Sequence, residues 1–79
     1  MQKKKLTSRQ LQAVETRNKI FDTAHSLMTK KGFNNITIED IRKKAGVSVG
    51  AFYHYFKSKD DILFEVYQRA DNYFEENVM

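Results

Sequence analysis

The hydrophobic positions along the chain recur with the 3.6-residue period of an α-helix and divide it into four predicted helices. The first is predicted over about residues 8–31, and Leu11 and Val14 extend its apolar stripe weakly upstream. The stripe itself consists of Ile20, Phe21, Ala24, Leu27 and Met28. Gly32 follows two lysines in the last turn, which is typical of a helix C-terminus.

Two short helices follow, separated by a tight turn. Thr37 and Asp40 fit a capping box, in which each side chain accepts a hydrogen bond from the other residue's backbone, so the second helix is predicted to begin there. Gly46 ends this helix, and Ser48 is the predicted N-cap of the third. The apolar positions are Ile38, Ile41 and Ala45 in the second helix and Val49, Phe52 and Phe56 in the third. Residues 33–36 are predicted as a loop.

The fourth helix is predicted to begin after Ser58, an N-cap that Asp61 completes as a further capping box. Its apolar positions are Ile62, Leu63, Val66, Ala70, Tyr73 and Phe74. Neither glycine nor proline stops the helical pattern before Met79, so we expect the natural protein to continue beyond this chain. Because no segment alternates with the two-residue period of a strand, the predicted fold class is all-α.

Composition excludes several classes of function. The chain has 79 residues, enough for one small domain, and contains no cysteine for a disulfide or a thiolate zinc site. Neither His25 nor His54 belongs to a motif with a nucleophile and an orienting acid. No apolar run is long enough to span a bilayer, and no signal peptide is recognisable. We therefore predict a cytoplasmic non-enzyme with no catalytic, metal or cofactor site and no membrane partner.

Charge is distributed unevenly along the chain, although the net charge is only +4. Residues 1–19 carry a formal charge of +5, residues 20–59 carry +4, and residues 60–79 carry −5. This asymmetry suggests a polyanionic partner for the basic part. On charge alone, two solvated surfaces of opposite sign explain it equally well.

Residues 37–56 have the layout of a helix-turn-helix, in which the second helix enters the major groove of DNA with its first residues toward the base edges. The residues at that end are small: Ser48, Val49, Gly50 and Ala51. A glycine inside a helix costs about 1 kcal/mol relative to alanine. The glycine therefore favours close approach to another surface, and the alternative is that it merely extends the turn.

Aromatic side chains follow on the same helix. On a helical wheel, His54 lies nearly opposite the inward-facing Phe52. Tyr53 and Tyr55 flank that outer face, where a hydroxyl or imidazole N–H could donate to a phosphate; packing at the core edge is the alternative for the tyrosines. Lys59 lies in the first turn of the fourth helix, where it opposes the helix dipole unless an anion such as a phosphate is near. A solvated lysine is the alternative there.

The run from Thr37 to Lys59, with its caps, glycines and aromatic residues, resembles the DNA-binding region of TetR/AcrR-type bacterial repressors. Arg17, Ile20, Ala24, Leu27 and Lys31-Gly32-Phe33 resemble that family's first helix. The resemblance covers residues 17–74 and implies a three-helix homeodomain-like helix-turn-helix bundle plus the start of a fourth helix. Residues 1–15 would be a basic arm and helix extension, 16–59 the DNA-binding domain, and 60–79 a helix leading to a C-terminal ligand-binding and dimerisation domain absent from this chain.

The resemblance also implies roles for individual residues. Thr37 would cap the second helix and touch the DNA backbone, and Lys59 would bind a phosphate. The residues expected to face bases or phosphates are Ser48, Val49, Gly50 and Ala51. Those expected to contact mainly the DNA backbone are Tyr53, His54 and Tyr55. Residues 42–44 fall outside the family signature and are expected to act through long-range electrostatics, while the basic residues 3–5 are either a DNA-binding arm or a solvated tail.

The function that the resemblance implies is sequence-specific binding of double-stranded DNA as the reading head of a ligand-responsive bacterial repressor. The expected operator is an inverted repeat, bound by a homodimer that forms through the missing domain. The small-molecule inducer would not bind this part of the protein. A helical protein-interaction module using the same surface is the alternative, and it would lack the steep salt dependence of DNA binding.

Overall fold

A computed structural model describes residues 7–77 and the side chains of residues 7–70. Its helices are α1 (Ser8–Lys31), α2 (Ile38–Ala45), α3 (Val49–Tyr55) and α4 (Lys59–Asn77), with a 3-10 turn at Phe33–Asn35 inside the predicted loop. No strand occurs within residues 7–77, so the predicted all-α helix-turn-helix bundle with the start of a fourth helix is confirmed. The predictions for residues 3–5 and for the side chains of residues 73 and 74 lie outside the described residues.

The start of α1 is exposed. The Thr7 hydroxyl accepts the Gln10 N–H at 3.1 Å, and the Gln10 side chain accepts the Thr7 N–H at 2.9 Å, which forms a complete capping box. Leu11 and Val14 nevertheless remain 47% and 45% exposed. The apolar stripe of α1 therefore contributes buried side chains to the core only from Ile20 onward.

The core lies where the four helices meet. Its buried side chains are Ile20, Phe21, Ala24, Leu27, Met28, Ile36, Ile41, Ala45, Phe52, Phe56 and Ile62. All of them except Ile36 occupy helix-periodic positions identified in the sequence, and Ile36 enters from the connection between α1 and α2. Burying an aliphatic or phenyl side chain of this size stabilises a fold by about 1.5–3 kcal/mol.

The turn between α2 and α3 is fixed by a left-handed glycine. Gly46 has φ 74° and ψ 34°, and its N–H donates to the Lys43 carbonyl at 3.2 Å. The Val47 N–H donates to the Arg42 carbonyl at 3.0 Å. These two bonds form a Schellman motif, which satisfies the last carbonyls of α2 and sets the direction in which α3 leaves. The half-buried Val47 then packs against the core.

One ion pair and one cation–π contact join α4 to α1. Arg17 donates two hydrogen bonds to the Glu65 carboxylate, at 2.6 and 3.1 Å, and its guanidinium lies 4.7 Å from the centroid of the Phe56 ring. Arg69 donates to the same carboxylate at 2.9 Å and lies 3.9 Å from the centroid of the Phe21 ring. The hydrogen bonds from Arg17 hold the pKa of Glu65 below its usual range. The same bonds raise the pKa of Arg17.

The N-terminus of α4 differs from the predicted capping box in one bond. The Asp61 N–H donates to the Ser58 hydroxyl, at 3.4 Å. The Asp61 carboxylate, however, accepts the N–H of Lys57 at 2.9 Å and not that of Ser58. The carboxylate therefore accepts a hydrogen bond one residue earlier than predicted, from the connection between α3 and α4.

Candidate nucleic-acid interface

The first turn of α3 forms the surface that a helix-turn-helix turns toward DNA. The Ser48 hydroxyl accepts the Ala51 N–H at 3.0 Å, so the predicted N-cap is confirmed. Ser48, Val49 and Gly50 are exposed, whereas Ala51 is half-buried. The four predicted base-facing residues are thus consecutive in one small, uncharged stretch, in which Val49 is 48% exposed.

Gly50 has no conformational need to be glycine within the described chain. Its φ is not positive, and a Cβ added there would meet only the Ser48 hydroxyl, at 3.9 Å. It lies inside α3 and not in the turn, so the alternative in which it merely extends the turn does not hold. The space that its missing side chain leaves faces outward, where another molecule could approach the helix backbone.

The aromatic side chains of α3 divide between surface and core. Tyr53 is 52% exposed, and its ring stands edge-on to the buried ring of Phe52, with 5.5 Å between the centroids. His54 is exposed, and its ring lies 4.6 Å from that of Tyr55. Tyr55 is half-buried and packs against the core. Because these rings pack on one side and are accessible on the other, this arrangement fits both predicted phosphate contacts and packing at the core edge.

Thr37 lies at the exposed start of α2, as predicted. Its hydroxyl accepts the Asp40 N–H at 3.0 Å, and the Asp40 carboxylate accepts the Thr37 N–H at 2.9 Å, which completes the predicted capping box. The Thr37 backbone N–H first, and then the Thr37 hydroxyl, hold the pKa of the Asp40 carboxyl below its usual range.

Lys59 makes contacts that the sequence did not predict. Its ammonium donates to the carbonyls of Phe33 and Ile36, at 3.0 and 2.8 Å, and lies 4.5 Å from the centroid of the Phe33 ring. These bonds fasten the start of α4 to the α1–α2 connection, directly before Thr37. An ammonium has three N–H donors, so one remains for the predicted phosphate contact.

The basic residues at the end of α2 are unequally neutralised. Arg42 donates two hydrogen bonds to the Glu39 carboxylate, and the Lys43 ammonium lies 3.8 Å from it. The bonds from Arg42 hold the pKa of Glu39 below its usual range. Lys44 forms no ion pair with any side chain among residues 7–70. Of the three basic residues at positions 42–44, which are expected to act through long-range electrostatics, Lys44 is therefore the least neutralised by neighbouring side chains.

The side chains of residues 7–70 contain no group of three or more histidine, cysteine, aspartate or glutamate residues that could hold a metal ion. Within residues 7–77, no helix combines the length and apolar character needed to cross a membrane.

Residues 20–66 match the family model described as bacterial regulatory proteins of the tetR family. An HTH-type transcriptional regulator of Staphylococcus aureus (strain bovine RF122 / ET3-1) is 40% identical over 62 residues, which are 78% of this chain and 34% of that protein. Another, from Staphylococcus aureus strain USA300, is 39% identical over 57 residues, 72% of this chain and 31% of that protein. The chain thus spans about a third of the length of these curated relatives.

Proposed function

Because this chain belongs to the TetR family of bacterial regulatory proteins, which bind DNA to regulate transcription, we propose that it reads a specific DNA sequence through α3. The observation that carries this proposal is the first turn of α3. Ser48, Val49 and Gly50 are exposed there. The backbone and packing of the described chain do not require a glycine at position 50. A helix with small side chains at this end lets its backbone approach the floor of a major groove closely.

Backbone contacts surround this surface in the proposed complex. Thr37 contacts a phosphate from the start of α2, and Lys59 contacts one with the N–H that its two carbonyl partners leave free. Tyr53, His54 and Tyr55 contact phosphates and sugars from the aromatic end of α3. Phosphate contacts fix register and orientation, so base discrimination falls to Ser48–Ala51, where no arginine or asparagine specifies a particular base.

The whole protein is proposed to act as a cytoplasmic homodimer. Residues 1–15 would form a basic arm and helix extension, 16–59 the reader, and 60–79 the helix that leads to a dimerisation and ligand-binding domain. Two reading helices in successive major grooves would then lie roughly 34–36 Å apart and recognise an inverted repeat. A small-molecule inducer bound outside this chain would release the operator, which makes the protein a ligand-responsive repressor.

The test is selection of bound duplexes from a random pool by this chain and by a longer form of the protein. A common half-site recovered by the chain is the expected result, and an inverted repeat of that half-site is expected for the longer form. Exchanging Val49 or Ala51 for another side chain should change the recovered sequence, because both lie on the base-facing turn. Recovery of no common sequence, together with stable capture of a protein partner by the same surface, would favour the protein-interaction module instead.

A further inference from the structure

A shallow groove of about 300 Å³ lies between the first turns of α1 and the C-terminal end of α3. Its α1 wall consists of Arg9, Gln12, Ala13 and Thr16, which occupy positions i, i+3, i+4 and i+7 and so share one helix face. The α3 wall is Tyr55. The groove therefore continues the aromatic end of α3, which contacts the DNA backbone in the proposed function.

Arg9 differs from the other arginines that the structure describes. Arg17 and Arg69 both pair with Glu65, and Arg42 pairs with a glutamate on its own helix. Among residues 7–70, no acidic side chain lies within ion-pair distance of Arg9, which is exposed. Its charge is therefore not offset by a neighbour, and it belongs to the segment 1–19 that carries +5.

The first three turns of α1 contribute no buried side chain to the hydrophobic core. The helix begins at Ser8, and its first buried residue is Ile20. At 1.5 Å per residue, about 18 Å of helix therefore precede the core. This stretch is nonetheless closed by the Thr7–Gln10 capping box, so it is specified as a helix although it buries little.

We propose that this face of α1 binds the sugar–phosphate backbone of DNA at the edge of the site, with Arg9 on a phosphate and Gln12 beside Tyr55. The inference rests on the proposed function and extends the interface beyond the helix-turn-helix. A guanidinium offers a planar fork of donors that matches a phosphate, which suits Arg9 to this contact. The residues involved on α1 all precede position 20, where the family match begins.

The test compares Arg9→Gln with Lys30→Gln in this 79-residue chain. Both changes remove one positive charge from an exposed position on α1, but Lys30 lies in its last turn. The probe is a duplex selected by the unchanged chain, in its full length and trimmed stepwise at each end, with affinity measured by fluorescence anisotropy over a range of salt concentrations. Far-UV circular dichroism melting serves as the folding check, and both variants should keep the helical signal and the cooperative melt of the unchanged chain.

The expected result is that Arg9→Gln weakens binding to the full-length duplex about five- to tenfold. It should also reduce the slope of log affinity against log salt by about 0.9, the loss of one phosphate contact, while Lys30→Gln leaves the slope unchanged. Trimming one end of the duplex should abolish the difference between Arg9→Gln and the unchanged chain. Equal slopes for the two variants would overturn this proposal alone, whereas an unchanged chain that binds no duplex at low salt would overturn the proposed function with it.

Discussion

Exchanging the two glycines of the helix-turn-helix for alanine should move the stability of the fold in opposite directions. Gly46 has φ 74°, and an added Cβ would find its nearest neighbour, the Lys19 ammonium, only at 4.0 Å. Gly46→Ala therefore meets no clash, and its cost is the left-handed backbone alone, about 1–2 kcal/mol. Gly50 has a helical backbone, and a Cβ there meets only the Ser48 hydroxyl. Gly50→Ala should therefore stabilise the fold by about 0.5–1 kcal/mol.

Urea and thermal denaturation, both followed by far-UV circular dichroism, measure the two effects. The two changes control for each other, since each adds one methyl group and the positions are four residues apart. In a domain of this size, 1 kcal/mol corresponds to about 4–8 °C in melting temperature. Gly46→Ala should melt lower than the unchanged chain and Gly50→Ala higher. Equal shifts for the two variants would refute the backbone assignment at Gly46 and the absence of a structural need for glycine at Gly50.

DNA binding should separate from stability at Gly50. The methyl group that stabilises α3 would enter the space through which the helix backbone approaches the major groove. Overfilling a close contact costs about 1–3 kcal/mol, so Gly50→Ala should bind a selected duplex about 5- to 150-fold more weakly while melting at a higher temperature. A stabilised variant that binds with unchanged affinity would show that no close approach occurs at this position.

Three further outcomes follow from the contacts of α4 and from the first turn of α3. Lys59→Met removes two charged hydrogen bonds to carbonyls of the α1–α2 connection and should destabilise the fold by about 1–2 kcal/mol in a urea titration, whereas Lys57→Met, at an exposed position, should not. Glu65→Gln should lower stability by about 1 kcal/mol at neutral pH. Because Arg17 depresses the pKa of Glu65, that contribution is complete above the unfolded pKa of about 4.3 and disappears as the pH falls through the folded value. Plots of melting temperature against pH for the unchanged chain and Glu65→Gln should therefore converge in acid. Parallel plots would show that no ion pair forms. Exchanging Ala51 should alter which duplexes are preferred in a competition assay, whereas Lys59→Ala should weaken binding to all duplexes alike.

Local signals in the sequence were enough to predict the helix boundaries and the turn. The Thr37–Asp40 box, the Ser48 cap and Gly46 all act within four residues, and each is present in the structure. The Thr7–Gln10 box was not predicted, although it has the same spacing with glutamine in place of an acidic residue. These features lie within one turn of helix, so sequence spacing alone determines their geometry.

Contacts between distant residues could not be predicted in this way. Arg17 and Glu65 are 48 residues apart, and their pairing depends on the angle at which α4 crosses α1. Lys59 donates to two main-chain carbonyls, and because every residue has a carbonyl, the sequence carries no signal for this contact. The exposure of Leu11 has the same origin, since helical periodicity identifies a stripe but not where other helices cease to cover it.

Binding to duplex DNA as a function of salt tests the central claim most directly. Each phosphate that the chain neutralises contributes about 0.9 to the slope of log affinity against log salt. Several phosphate contacts around α3 therefore predict a loss of roughly two orders of magnitude or more between about 50 and 200 mM salt. A flat response, with no duplex shifted even at low salt, would contradict DNA recognition by this helix-turn-helix.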